Sequence, residues 1–205
     1  MTIEASRDAK RKLPAERHGE LLTKAVEISQ AEGLSAVTLR RVATDLGVTP
    51  GLVSHYFSSA EQLIAAAFGT AAVADLDQAR VSVEGAAGAT GKIDALMDYV
   101  LDDVSEDASA LWLDAWSLGR RNPTLAAEAA ALTDDWLAFI RGIVEAGRES
   151  GEFTVADVDV AAQRLLIMID GLGAQKVIRD APTDELKHIA RAYSEFELGV
   201  ADSTA

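Results

Sequence analysis

Apolar residues recur at intervals of three and four along nearly the whole chain, the period of helices packed on one side, and strand-like alternation is missing. Leu21, Leu22, Ala25 and Ile28 mark one side of a first helix, which Pro14 can open and Gly33 can close. Thr38 is placed to cap a short second helix with Leu39, Val42, Ala43 and Leu46 inward, ended by Gly47. Thr49 caps a third, with Pro50 at its first position. Ser58 and Ser59 open a fourth through Glu61, Leu63, Ile64 and Phe68 that runs to about Val83. Gly85, Gly88 and Gly91 read as the clearest linker.

Beyond it, Ile93, Leu96, Met97, Val100 and Val104 predict a fifth helix. A sixth carries Leu111, Trp112, Ala115 and Trp116 up to the Asn122-Pro123 break. A seventh runs from about Thr124 to Ser150 and ends at Gly151. The eighth carries Val158, Ala161, Ala162, Leu165, Ile169 and Leu172, and the ninth, from Thr183, carries Leu186, Ile189, Ala190, Tyr193 and Leu198. There is no internal repeat and no heptad array. The fold class is all-α with about nine helices: a small head over residues 1–57 and a larger helical body over 58–205, joined by the fourth helix.

Charge separates these two parts. Residues 1–57 hold eight Lys or Arg against seven Asp or Glu, and the remainder holds 11 against 26, net +1 against −15. An acidic body does not prevent the head from binding phosphate, since electrostatics fade beyond a Debye length of roughly 8 Å at physiological salt. The chain has no cysteine, which excludes disulfides, thiolate metal sites and a thiol nucleophile. Apolar runs such as Leu165 to Ile169 fall far short of the roughly 18 residues of a membrane span. The polar N-terminus has no apolar stretch behind Lys10, Arg11 and Lys12, so neither a secretory signal nor a membrane partner is expected, and the reading is cytoplasmic.

The most informative segment is TLRRVATDLGVTPGLVSHYF, Thr38 to Phe57. Two short helices around a tight connection form a helix-turn-helix. Ala43 is small where the helices approach, Gly47 permits the turn, and Val48, Val53 and Phe57 supply the inner side. Thr49, Pro50, Gly51, Leu52, Ser54, His55 and Tyr56 remain outside. A short capped helix with hydroxyls, an imidazole, a phenol and a bare glycine on its outer face suits a major groove, where N-terminal amides meet phosphate and middle residues meet base edges. Thr38, Arg40 and Arg41 on the preceding helix are candidate backbone contacts; the alternative for the arginines is an ordinary solvated surface. Lys10 to Lys12 are either a frayed terminus or a basic arm along DNA.

From about Arg17 to Leu63 the sequence resembles the DNA-binding head of the tetracycline-repressor (TetR) family of bacterial regulators. LLTKAVEISQAEG, TLRRVATDLGV and TPGLVSHYF carry the resemblance without a gap. The SHYF ending and the WLDAWSLGRRNP and LLIMIDGL segments are similar to the branch named for the choline-responsive BetI repressor. The resemblance implies a repressor that binds a palindromic operator as a homodimer, with the last two helices pairing between protomers. Leu165, Ile169, Leu172, Gly173, Ile189 and Tyr193 are the interface residues expected on that basis. Two positions depart from the family: Ala60 stands where relatives commonly have lysine, and Ser29 where they have an aromatic.

The body is larger than dimerisation requires, so a small-molecule effector is expected. Trp112 and Trp116 share one helix face, and Met97, Tyr99, Trp136, Phe139 and Met168 are candidates to complete an apolar cavity. The other reading of the tryptophans is plain core. The BetI-like resemblance implies a quaternary ammonium ligand, which an aromatic cage with a nearby carboxylate such as Asp114 or Asp170 would hold through its charge and the ring faces. His18, His55 and His188 have no metal-ligand spacing, and no G-x-S-x-G, phosphate loop or paired His and carboxylate points to an enzyme, so neither metal nor cofactor is expected. The competing function is a helical ligand-binding or interaction protein that has lost specific DNA binding.

Overall fold

The structure, a computed structural model, describes residues 13–102 and 106–200. The expected arm at Lys10 to Lys12, Asp103 and Val104 lie outside them. Among the described residues nine α-helices follow one another: α1 (Pro14–Glu32), α2 (Leu39–Asp45), α3 (Pro50–Tyr56), α4 (Ala60–Ser82), α5 (Gly88–Val100), α6 (Glu106–Gly119), α7 (Pro123–Ser150), α8 (Val158–Arg179) and α9 (Thr183–Leu198). A 3-10 turn, Leu34–Ala36, joins α1 to α2. No strand occurs among the described residues. Gly88 and Gly91 lie within α5, so the linker shrinks to residues 83–87; α5 begins there because the Glu152 carboxylate accepts the N–H groups of Ala89 (3.0 Å) and Thr90 (2.9 Å). These donors hold Glu152 well below the usual carboxylate range, at about 2.

Side-chain caps fix the short helices. The Thr38 Oγ1 accepts the Arg41 N–H (3.0 Å) and the Thr49 Oγ1 accepts the Leu52 N–H (3.3 Å). Gly47, at φ +63°, makes the turn after α2 in a region that side-chain-bearing residues rarely occupy. The head's core joins Leu21, Ala25, Ile28, Val42, Val53 and Phe57 to Leu63 and Ala67 of α4, so α4 belongs to the packing of both parts. Ser29 is buried there without cost in unmatched polarity, because its hydroxyl donates to the Val26 carbonyl (2.8 Å).

A second cluster, Leu34, Phe68, Leu111, Ala115 and Leu125 among its members, welds head to body. The largest lies in the body and includes Leu96, Met97, Trp136, Ile140, Leu165 and Leu186. Head and body are thus joined through apolar packing, with α4 and α6 on both sides of the junction.

Candidate functional site

Two surfaces carry the predicted residues. On α3 and its two caps, Val53 and Phe57 are buried while Thr49, Pro50, Gly51, Ser54 and His55 are exposed and Leu52 and Tyr56 half-buried. His55 meets Tyr56 edge-on at 5.3 Å between ring centroids, and His18 stacks on Phe57 at 4.9 Å. The Ser54 hydroxyl donates to the Pro50 carbonyl (3.1 Å), leaving its lone pairs outward. A Cβ added at Gly51 would meet only the Thr49 hydroxyl at 4.0 Å, so nothing inside the protomer requires glycine there.

On α2 the two arginines differ. Arg40 is exposed and makes no ion pair among the described residues. Arg41 instead donates to Glu32 (2.6 and 2.9 Å) and to Asp45 (3.0 and 3.1 Å), and these carboxylates raise its already high pKa. These pairs use one N–H on each guanidinium nitrogen and leave two of the five for other acceptors, so a phosphate at Arg41 competes with Glu32 and Asp45, whereas Arg40 has no such competitor.

The second surface is a cleft in the body of about 620 Å³ including its open mouth. Trp112 and Trp116 of α6, 5.9 Å apart, form one wall with Trp136 of α7. Tyr99 of α5, Asp75 of α4 and Asp170 of α8 complete it with Ser109, Thr133 and Ile169. The Tyr99 hydroxyl donates to Asp75 Oδ1 (2.7 Å). Burial raises the Asp75 carboxyl against the opposing effect of that hydrogen bond, and burial beside Asp75 raises the Tyr99 phenol. Asp170 has no partner among the described residues, and burial pushes its pKa up to about 6. Among the described residues no Lys, Arg or His lines the cleft. Three indoles and a phenol around two carboxylates make a space that favours a small cation and disfavours an anion.

Several expected positions fall elsewhere. Met97 is buried in the body core, Phe139 packs beside Trp136 away from the cleft at 6.2 Å, and Met168 lies half-buried against the core. Asp114 belongs to the head–body junction: its Oδ2 accepts the Leu34 N–H at 2.7 Å. Asp75 was missed because α4 reads as a connector; its one signal is an acidic residue inside the apolar run AFGTAAVADL. The dimer residues also need correction. Leu165, Leu172 and Gly173 point into their own protomer, the last with Ser109 Oγ 3.0 Å from the position of an added Cβ, and Ile169 lines the cleft. Tyr193 is half-buried against the core, while Ile189 is exposed. The exposed stripe of α8 is instead Val160, Ile167, Gly171 and Ile178, and that of α9 is Ile189 with Phe196, which is 82% exposed.

Comparison with known proteins agrees with this architecture. Residues 21–67 match the profile of bacterial regulatory proteins of the tetR family, and residues 89–198 match that of the BetI-type transcriptional repressor C-terminal domain. The HTH-type transcriptional regulator BetI of Rhizobium meliloti (strain 1021) is 27% identical over 172 residues, covering 81% of this chain and 80% of its own. BetI 1 of Chromohalobacter salexigens is 27% identical over 195 residues, 92% and 94% of the two chains. Among solved structures, a Saccharomonospora viridis protein in complex with choline superposes with a TM-score of 0.77 at 23% identity, over 88% of this chain and 96% of that one. A TetR transcription regulator of Haloarcula marismortui gives 0.74 at 21% identity, over 90% and 97%. Both resemblances show the same fold. With one profile on the helix-turn-helix head and the other on more than half the chain, this protein belongs to the TetR family of DNA-binding transcriptional regulators, in its BetI-type branch.

Proposed function

We propose that the protein binds an inverted-repeat operator as a homodimer through the outer face of α3, and that a small cation of the quaternary ammonium class changes its operator affinity. The observation that carries this reading is the double placement of α6. At 100° per residue, Trp112 and Trp116 face the cleft and Asp114 lies on the opposite side, against Leu34 of the head. One helix, about 10 Å across, therefore touches both ligand space and DNA-binding head. Trp112 also packs edge-on against Phe68 of α4 (5.0 Å), beneath the same junction. A cation that draws the indoles together and binds one head orientation more tightly shifts the head through this contact, as an effector must.

Base contacts fall to Ser54 and His55, close approach to Gly51, and phosphate contact to Thr38, Arg40, Thr49 and the first amides of α3. A three-helix head spans too few base pairs to specify a site alone, so two-fold pairing is required. The exposed apolar stripes of α8 and α9 supply a face for it. The S. viridis relative holds choline, which makes choline the first probe for the cleft. Ser54→Ala and His55→Ala should each relax preference at particular base pairs, at about 1–3 kcal/mol, while Arg40→Ala weakens all sequences alike. An unchanged sequence profile in the Ser54 and His55 variants would exclude α3 as the reading helix. Choline titration, followed by tryptophan fluorescence and operator release together, tests the effector; a fluorescence change without release would make choline a cavity filler.

A further inference from the structure

The corner between α6 and α7 holds two arginines that the body does not use. Arg80, Arg141, Arg148, Arg164 and Arg191 each face a carboxylate within 4 Å. Arg120 and Arg121 are exposed and make no ion pair or hydrogen bond through their side chains among the described residues. Lys92 and Arg179 likewise make no ion pair among the described residues, so what sets Arg120 and Arg121 apart is that they are adjacent and where they stand.

The corner is fastened to the start of α4. Asn122 Nδ2 donates to the Glu61 carbonyl at 3.3 Å, while its Oδ1 accepts the Leu125 N–H at 3.1 Å and caps α7. The Arg121 and Asn122 N–H groups both donate to the Leu118 carbonyl (3.0 and 3.1 Å), which closes the turn and leaves the two arginines at its apex. Glu61 lies in the first turn of α4, five residues after Tyr56 at the end of α3. The arginines therefore stand beside the point where the chain leaves the recognition helix. That first turn, Ala60, Glu61, Gln62 and Leu63, has no cation of its own.

We propose that Arg120 and Arg121 form a phosphate-binding corner that extends the DNA interface from the head onto the body. The proposal rests on α3 as the DNA-reading helix. A backbone strand passing the end of α3 meets guanidinium groups suited to bidentate phosphate contact, and their rigid mounting through Asn122 limits the ordering cost. These contacts add affinity and carry no sequence information.

The test is the salt dependence of binding to a pool-selected duplex and to a random duplex, with the full chain. Arg120→Gln with Arg121→Gln is compared with Lys92→Gln with Arg179→Gln, which removes the same charge from the second turn of α5 and the last turn of α8. Counterion release predicts that the log–log slope falls by about 0.9 per arginine in each protomer, so the drop in affinity between about 50 and 200 mM salt shrinks by roughly tenfold per protomer. The effect is equal on both duplexes, and choline-induced tryptophan quenching and the melting temperature stay as in the parent. The Lys92/Arg179 pair leaves the slope unchanged. A corner variant with the parental slope, or one no different from the control pair, overturns the proposal while His55→Ala still alters sequence preference. Failure of the parent protein to bind either duplex overturns the α3 reading and the corner together.

Discussion

Replacing Asp114 by alanine should separate effector binding from DNA response. The carboxylate accepts the Leu34 N–H at 2.7 Å across 80 positions of sequence, and it is the polar link between α6 and the turn that follows α1. A hydrogen bond to a charged acceptor contributes about 1.5–3 kcal/mol, and a partly buried amide left unmatched costs about 1–3 kcal/mol. At roughly 2–4 °C per kcal/mol for a chain of this size, Asp114→Ala should lower the melting temperature by about 2–12 °C. If the bond is made in one head orientation and weakened in the other, its loss removes up to that energy from the coupling. The choline-induced change in operator Kd should then shrink by about tenfold, since 1.4 kcal/mol is a factor of ten. Choline affinity, read from tryptophan fluorescence, should change little, and Asp114→Asn, which keeps an acceptor oxygen, should restore most of the response. The adjacent Gly33 sits at φ +85° with the Asp114 Oδ2 2.8 Å from an added Cβ, so Gly33→Ala should destabilise by about 1–3 kcal/mol, and less in an Asp114→Ala background. A folded Asp114→Ala protein that binds choline and releases operator to the full parental extent would refute this reasoning.

Gly51→Ala should move stability and DNA affinity in opposite directions: with open space around it on an exposed helix, alanine raises stability by about 0.5–1 kcal/mol in denaturant titration and lowers operator affinity in anisotropy. Asp170 sets a pH dependence. Its folded pKa of about 6 lies above the unfolded value of about 3.9, so the folded chain keeps a proton through pH 4–6 that the unfolded chain has lost, and this contribution to stability is lost as pH rises through about 6. A cation favours the ionised form, so choline affinity measured from pH 5 to 8 should rise through about pH 6 and level about one unit above it, and Asp170→Asn should flatten the curve and weaken binding. Ile178→Glu with Phe196→Glu places charge on the exposed α8–α9 stripes; light scattering should report monomers, and operator affinity should collapse together with dimerisation.

The helices were legible because their ends are chemically marked. Thr38, Thr49 and Asn122 accept hydrogen bonds as N-caps, and Gly33, Gly47 and Gly151 take the positive φ that ends the preceding helices. The outer face of α3 followed from the same pattern, since Val53 and Phe57 leave only one side for the core. What periodicity could not supply was the destination of an apolar stripe. Helix α8 is apolar on two sides, and Leu165 and Leu172 look the same in sequence whether they meet their own body or a second copy; Ile167 and Ile178 are the ones left exposed. The cleft was half legible for a related reason: the i, i+4 spacing placed Trp112 with Trp116, but Asp75 and Asp170 come together only through the packing of α4 and α8 around α6 and α7. Arg41 shows the limit for charges, because its pairing with Glu32 depends on how α1 and α2 cross.

Selection of bound duplexes from a random DNA pool tests the central claim most directly. Two copies of α3 related by a two-fold axis predict an inverted repeat with half-site centres one helical turn, or a small multiple, apart. Enrichment of such a repeat by the parent protein, with altered base preference within each half-site for His55→Ala, is the expected result. A pool that returns no enriched sequence, or an asymmetric one indifferent to His55, would contradict the account.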